Sequence, residues 1–214
     1  AYIMFSLGGH ESSFANEIIE IGQRLFGLTG KIHNRGPKDK KSGIEISICH
    51  SFLANIFENL FGKGADKKRI PEFLMRLPVE KQHILVEAIK KGDGTTYFGS
   101  KSRRRHNAIV TISQALAIQL RELLLRMGNF PSLQVERARM DKRGTNHRTA
   151  YRVVWSEEAT SRYNLVYKTR KGVRYWMLPI RKLKREIFSG VVFKLMVEEA
   201  HTYIPRGGVV GNCG

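Results

Sequence analysis

Residues 84–95 read "ILVEAIKKGDGT". This is an apolar helix that stops at glycines and holds one acid, Asp93, between Gly92 and Gly94. Small residues let two such helices approach closely, and an acid at the C-terminal end then projects beyond the packed pair. Two acids meeting from two helices make a divalent-metal site, because Mg2+ favours a few carboxylates together with phosphate oxygens and water. Such a site activates water and stabilises the leaving oxygen in phosphodiester cleavage. Gly-Asp is also ordinary turn chemistry. The stretch alone therefore leaves Asp93 open as a metal ligand or as a plain surface turn residue.

The surroundings of the stretch are basic. The chain has 214 residues, with 37 Lys+Arg against 19 Asp+Glu and a net charge of +18. That length allows one large or two small domains, and 42% hydrophobic content is enough for a core. A charge of this sign favours a polyanionic partner, with nucleic acid first and an anionic membrane surface second. No apolar run approaches the roughly 18–20 residues that span a bilayer. No signal-peptide pattern and no long basic amphipathic helix is present, so no membrane partner is expected. Lys101, Arg103, Arg104 and Arg105 are candidates for phosphate contacts. A twisted strand pair carrying Arg137, Arg139, Lys142 and Arg143, in "VERARMDKR", suits the major groove. A solvated charged face is the alternative for the arginine run.

There are two cysteines. Cys49 ends the run "IEISIC" and reads as a small buried hydrophobe. Cys213 lies in a glycine-rich tail. Nothing has zinc spacing, no disulfide scaffold is supported, and a cytoplasmic location is the default.

Read outward from the helix, the chain repeats itself. "YIMFS" is a strand ending at Ser6, followed by a helix that stops at Gly27 and by the strand pair "GKIHNRG" and "SGIEISIC". "NAIVTIS" ends at Ser113, followed by a helix that stops at Gly128 and by the pair "LQVERARM" and "RTAYRVVW". The copies lie roughly 100 residues apart. Between them are a further helix, "SFLANIFENLFGKG", with Ser51 as candidate N-cap, and a basic connector, "DKKRIPEFLMRLP". The second copy is preceded by the helix "VEKQHILVEAIKKGDGTTYFGS", whereas nothing precedes the first. From about Glu157 the composition turns to Val, Tyr, Phe and Trp with Gly and Pro, which reads as short strands.

The tail, "VEEAHTYIPRGGVVGNCG", carries its own chemistry. The side-chain nitrogen of Asn212 can attack its own carbonyl carbon, closing a succinimide and cutting the chain after it. Gly211 gives the backbone freedom there. His201, eleven residues before Asn212, can move a proton to the leaving amine. Cys213 supplies a thiol for acyl transfer. A frayed terminus in which Asn-Cys has no meaning is the alternative.

These stretches resemble a known family. "ILVEAIKKGDGT" resembles a degenerate LAGLIDADG motif. "KKRIPEFLMRLP" resembles the connector before the second such motif in intein-borne homing endonucleases, and "ISQALAIQLRELLLRMG" the helix that follows it. "GVVFKLMVEEAHTYIPRGGVVGNC" resembles the C-terminal splicing blocks of an intein, over about residues 175–213. The resemblance implies an α+β chain. Residues 1–156 are expected to form a LAGLIDADG αββαββ pseudo-twofold domain without its first helix. Residues 157–212 are expected to form the β-rich C-terminal part of a Hint splicing domain, and residues 213–214 begin the downstream extein.

The resemblance also implies roles. Asn212 is the cyclising residue, His201 the block histidine, Cys213 the first extein residue, and Asp93 one of two Mg2+-binding acids whose partner is not in the chain. Gly211 departs from the usual penultimate His, and Lys194 from a frequent Asp. Implied partners are double-stranded DNA, the host extein segments and an N-terminal intein segment. The alternatives are a free-standing LAGLIDADG endonuclease or RNA maturase, and a basic nucleic-acid-binding module without catalysis. The "CG" start of the extein suits an archaeal RNA-splicing ligase as host.

Overall fold

The computed structural model describes residues 1–35, 43–99, 104–142, 144–157, 166–170, 172–177, 182–193, 197–198, 202–203 and 210–211. The chain opens with strand β1 (Tyr2–Gly8), helix α1 (Ser12–Phe26), strands β2 (Lys31–Arg35) and β3 (Gly43–Cys49), and helix α2 (Ser51–Phe61). The strands form an antiparallel sheet in the order β1-β3-β2. Alternation in β3 decides its faces, since Ile44, Ile46 and Ile48 are buried while their neighbours are not. Cys49 falls on the odd side of that alternation and is exposed. The expectation that it is a buried hydrophobe is therefore wrong: the run is apolar, but its last side chain points outward. The cap of α2 also moves by one residue. His50 is the N-cap, its Nδ1 accepting from the N–H of Leu53 at 3.2 Å, and Ser51 is already helical.

After the short helix α3 (Glu72–Met75) come helix α4 (Val79–Asp93) and strands β4 (Gly94–Phe98) and β5 (Arg105–Thr111). Helix α5 (Gln114–Arg126) follows, then strands β6 (Ser132–Glu136), β7 (Arg139–Met140), β8 (Asn146–His147) and β9 (Ala150–Trp155). The four-stranded sheet runs β4-β5-β9-β6. Its last three members, β5-β9-β6, have the order of β1-β3-β2 and the same helix after the first strand. The repeat is thus a repeat of topology. The helix ends at its glycines, as expected, with Asp93 its last residue, but "TTYFGS", taken with it in the sequence, is not helical: Thr95, Thr96, Tyr97 and Phe98 pair with β5. β-Branched and aromatic side chains favour that choice.

The second sheet packs on α4 and α5 through one cluster of buried residues. It includes Val86 from α4, Leu116, Leu120, Leu123 and Leu124 from α5, and Ile109, Val153 and Trp155 from the sheet. The first sheet has a smaller cluster, Ala15, Ile44 and Ile46, flanked by Phe5, Leu7, Ile18 and Ile19. Beyond Trp155, β10 (Val166–Arg170) and β11 (Val173–Met177) form a hairpin. β12 (Thr202–Tyr203) pairs with β13 (Val210–Gly211). Among the described residues no helix is long and apolar enough to cross a membrane.

Candidate functional site

Asp93 is the last residue of α4, and its carboxylate is open to solvent. An acid there faces the negative end of the helix dipole, which is unfavourable by about 0.3–1 kcal/mol. Lys90 and Lys91 in the same turn are the residues the dipole favours. Helix stability therefore does not explain Asp93. Gly94 is required by geometry, because a Cβ there would fall on the backbone carbonyl of Lys90. At Gly92 a Cβ would meet nothing. One side of α4, with Ile84, Ala88 and Gly92 at a spacing of four, is exposed. Ile84 and Ala88 line a shallow groove with Glu87, Lys90, Lys91, Gly94 and Thr96.

Asp93 has a partner that the reading of the motif missed. Lys68 Nζ lies 3.3 Å from its Oδ2, and both side chains are at least half exposed. An exposed pair of this kind contributes only about 0.2–1 kcal/mol, so it too is weakly explained by stability. Lys68 stands in the connector "DKKRIPEFLMRLP", 25 residues before Asp93, and only the fold brings the two together.

One carboxylate is a partial ligand set for Mg2+, which is bound through carboxylates with waters and phosphate oxygens. Among the described residues no group of three His, Cys, Asp or Glu side chains is gathered, and the nearest fixed charge at Asp93 is a cation. The residues present do not by themselves fit a Mg2+ site.

Two polar networks surround the end of α4. Lys91 reaches Glu17 of α1 at 2.6 Å and lies 4.1 Å over the Phe14 ring, joining the two halves. Lys90 bonds both oxygens of Glu87 at 3.1 Å and lies 3.7 Å from Glu157. Glu157 also accepts from Asn107 Nδ2 at 3.1 Å, and Asn107 Oδ1 accepts from Thr96 Oγ1 at 2.9 Å. Asn107 is buried, so this chain of bonds satisfies a polar group inside the sheet.

The basic residues fall into two groups. Arg105 begins β5 opposite Phe98, and Arg104 precedes it, half-buried, its carbonyl accepting from Gly99 N at 3.0 Å. Lys101 and Arg103 lie outside the described residues, in the connection between the same two strands. The second group, Arg137, Arg139 and Lys142, is exposed where β6 and β9 extend into the β7–β8 hairpin. Arg143 lies outside the described residues. Arg148 is exposed here as well. His147 Nε2 lies 3.1 Å from Asp141 Oδ2 across the turn, which Gly144 closes at φ 78°. The register sets these groups at opposite ends of the sheet. Arg105 marks one end of β5, and Thr111, opposite Tyr151, marks the end nearer the hairpin. These two ends of the seven-residue strand are six residue steps apart, about 20 Å.

In the tail, Gly211 lies in β13, directly opposite Thr202. It is a strand residue there. His201, Asn212 and Cys213 lie outside the described residues, as does Lys194.

No family model matches the chain. It is 26% identical, over 99% of its length, to 27% of an uncharacterised protein of Methanocaldococcus jannaschii. It is 23% identical, over 99% of its length, to 24% of an iron–sulfur cluster assembly SufBD family protein of Mycobacterium tuberculosis. It is also 28% identical, over 74% of its length, to 15% of an ATP-dependent DNA helicase of Thermococcus kodakarensis. The chain therefore spans about a quarter of the length of the first two relatives.

Proposed function

We propose that this chain is part of an intein: a protein-splicing segment ending at Asn212, joined to a LAGLIDADG homing endonuclease domain that binds double-stranded DNA. The observation that carries the splicing reading is the pairing of Thr202 with Gly211. His201 and Asn212 are each one peptide bond from that pair. The comparisons support the same reading from another side. A SufBD family protein and a DNA helicase share no activity by name, yet each contains a segment similar to this chain. A segment that recurs inside unrelated proteins is what an inserted element looks like.

The chemistry follows from Asn212 itself. Its side-chain nitrogen attacks its own carbonyl carbon, the bond from that carbon to the Cys213 nitrogen breaks, and the succinimide closes. His201 delivers a proton to the departing amine. Gly211 offers no imidazole beside the junction, so the reaction is slow until the surrounding strands are ordered by an N-terminal intein segment.

The test is mass spectrometry of the chain extended by a reporter peptide after Gly214, alone and with an N-terminal intein segment supplied. Loss of the piece beginning at Cys213, blocked by Asn212→Ala and slowed by His201→Ala, is expected. A reporter that stays attached under both conditions rejects the splicing reading.

The endonuclease part of the proposal rests on Asp93, placed against helix preference beside Lys68, and on basic groups at both ends of one sheet. A track of about 20 Å corresponds to roughly six base pairs at 3.4 Å each. With one acid in hand, the chain alone is expected to bind duplex DNA without cutting it. Divalent-dependent cutting by the chain alone, lost in Asp93→Asn, would show the one-acid argument to be wrong.

A further inference from the structure

The connector that carries Lys68 is held at three successive residues. The carbonyl of Lys68 accepts from Ser113 Oγ at 2.6 Å. The N–H of Arg69 donates to the Phe61 carbonyl at 2.9 Å, and its guanidinium closes on the last turn of α2 through the carbonyls of Asn59 and Leu60. Ile70 is gripped at both backbone groups by one side chain. Gln119 Oε1 accepts from its N–H at 2.8 Å, and Gln119 Nε2 donates to its carbonyl at 2.7 Å. The same hydroxyl of Ser113 also accepts from the N–H of Leu116, capping α5 at 3.2 Å. Ser113 has no exposed surface, so its one hydroxyl is committed to two bonds.

An N-cap needs only the accepting half of that hydroxyl. The donating half is spent on Lys68, and the two bonds of Gln119 lie outside the helix altogether. Gln119 sits on α5 and Ser113 caps it, and the helix packs into one core with β5 and α4. They transmit the position of that core to a lysine whose own side chain stands half in solvent. With half of the side chain in solvent, its own packing is not enough to fix the ammonium, and the position of its backbone root counts.

We propose that Ser113 and Gln119 are positioning residues for Lys68, holding its backbone so that the ammonium meets Asp93. This rests on the reading of Lys68 and Asp93 as members of one site. Ser113 therefore has a second task beyond capping.

The test uses the whole chain and the side-chain 15N signal of the Lys68 ammonium, which persists when the group is held in an ion pair. The signal is assigned by its loss in Lys68→Ala. Thermal melting is followed alongside. Ser113→Gly keeps a tolerated cap residue but removes the hydroxyl, Ser113→Thr keeps both hydrogen bonds, and Gln119→Met removes the two hydrogen bonds to Ile70 with little change in bulk. Expected are a Lys68 signal in the parent chain and in Ser113→Thr, and its loss in folded Ser113→Gly, in Gln119→Met and in Asp93→Asn. A signal that survives in both folded Ser113→Gly and folded Gln119→Met overturns the proposal, as does its absence from the parent chain. If Ser113→Gly fails to fold, Gln119→Met decides. DNA binding that is indifferent to Lys68→Ala and Asp93→Asn would remove the site reading while leaving the positioning result standing, so the two failures are separable.

Discussion

At the scale of single residues, the two glycines around Asp93 answer different needs. A methyl group on Gly94 would strike the Lys90 carbonyl, whereas one on Gly92 would enter open space. Gly94→Ala is expected to cost about 1–3 kcal/mol, as overpacking does, and to unsettle the turn that carries Asp93. Gly92→Ala replaces a helical glycine without a clash and is expected to gain up to about 1 kcal/mol. Urea unfolding of the two variants checks both signs, and a neutral Gly94→Ala would show that the last turn of α4 gives way freely. Asp93 was legible in the sequence because glycine, acid, glycine after an apolar helix is a local pattern. Lys68 was not, because its partner is 25 residues away and nothing local sets it apart from Lys67. Cys49 was misread for a related reason: composition shows that a strand is apolar, but only register shows which face a terminal residue takes.

At the scale of elements, the hairpin beyond β6 and β9 concentrates charge with little packing. Arg137, Arg139 and Lys142 are all exposed. Replacing all three with Ala is expected to weaken DNA binding while leaving the melting temperature nearly unchanged. The salt slope should shrink by about 0.9 for each phosphate contact removed. Affinity measured against salt concentration checks this, and an unchanged slope would take the hairpin out of the interface. Inside the sheet the balance reverses. Leu120 on α5 is fully buried, so Leu120→Ala is expected to cost about 2–5 kcal/mol in the same urea assay. Most of these elements were readable from periodicity and glycine stops, including both long helices that follow an opening strand. β4 was the exception. The glycines were read as the stop of α4, but the residues after them were still taken with the helix, and only the ladder to β5 shows that "TTYF" belongs to the sheet.

At the scale of the whole molecule, two halves of like topology are unequally packed. The second half buries Leu116, Ala117, Leu120, Leu123 and Leu124 from α5 alone, and α4 closes over the same cluster. In the first half α1 buries only Ala15 and Gly22, while Ile21, Leu25 and Phe26 remain exposed. Few buried contacts mean a low free energy for local opening. The halves are linked by polar bonds, Lys91 to Glu17 and Arg69 to the end of α2, and such surface ties contribute little to shared stability. The repeat was legible as order and punctuation, but this inequality was not, because it depends on which apolar side chains find a partner. Hydrogen exchange followed by mass spectrometry should therefore divide the chain. Amides of β5, β9 and α5 are expected to exchange last, at the free energy of global unfolding, and those of α1, β2 and β3 earlier, through opening of the first half alone. Leu120→Ala should speed exchange in the second half, and Ile46→Ala, which empties the smaller cluster, should speed it in the first half only. Equal protection of both halves, lost together in either variant, would mean that the ties across Lys91 and Arg69 make the molecule a single cooperative unit.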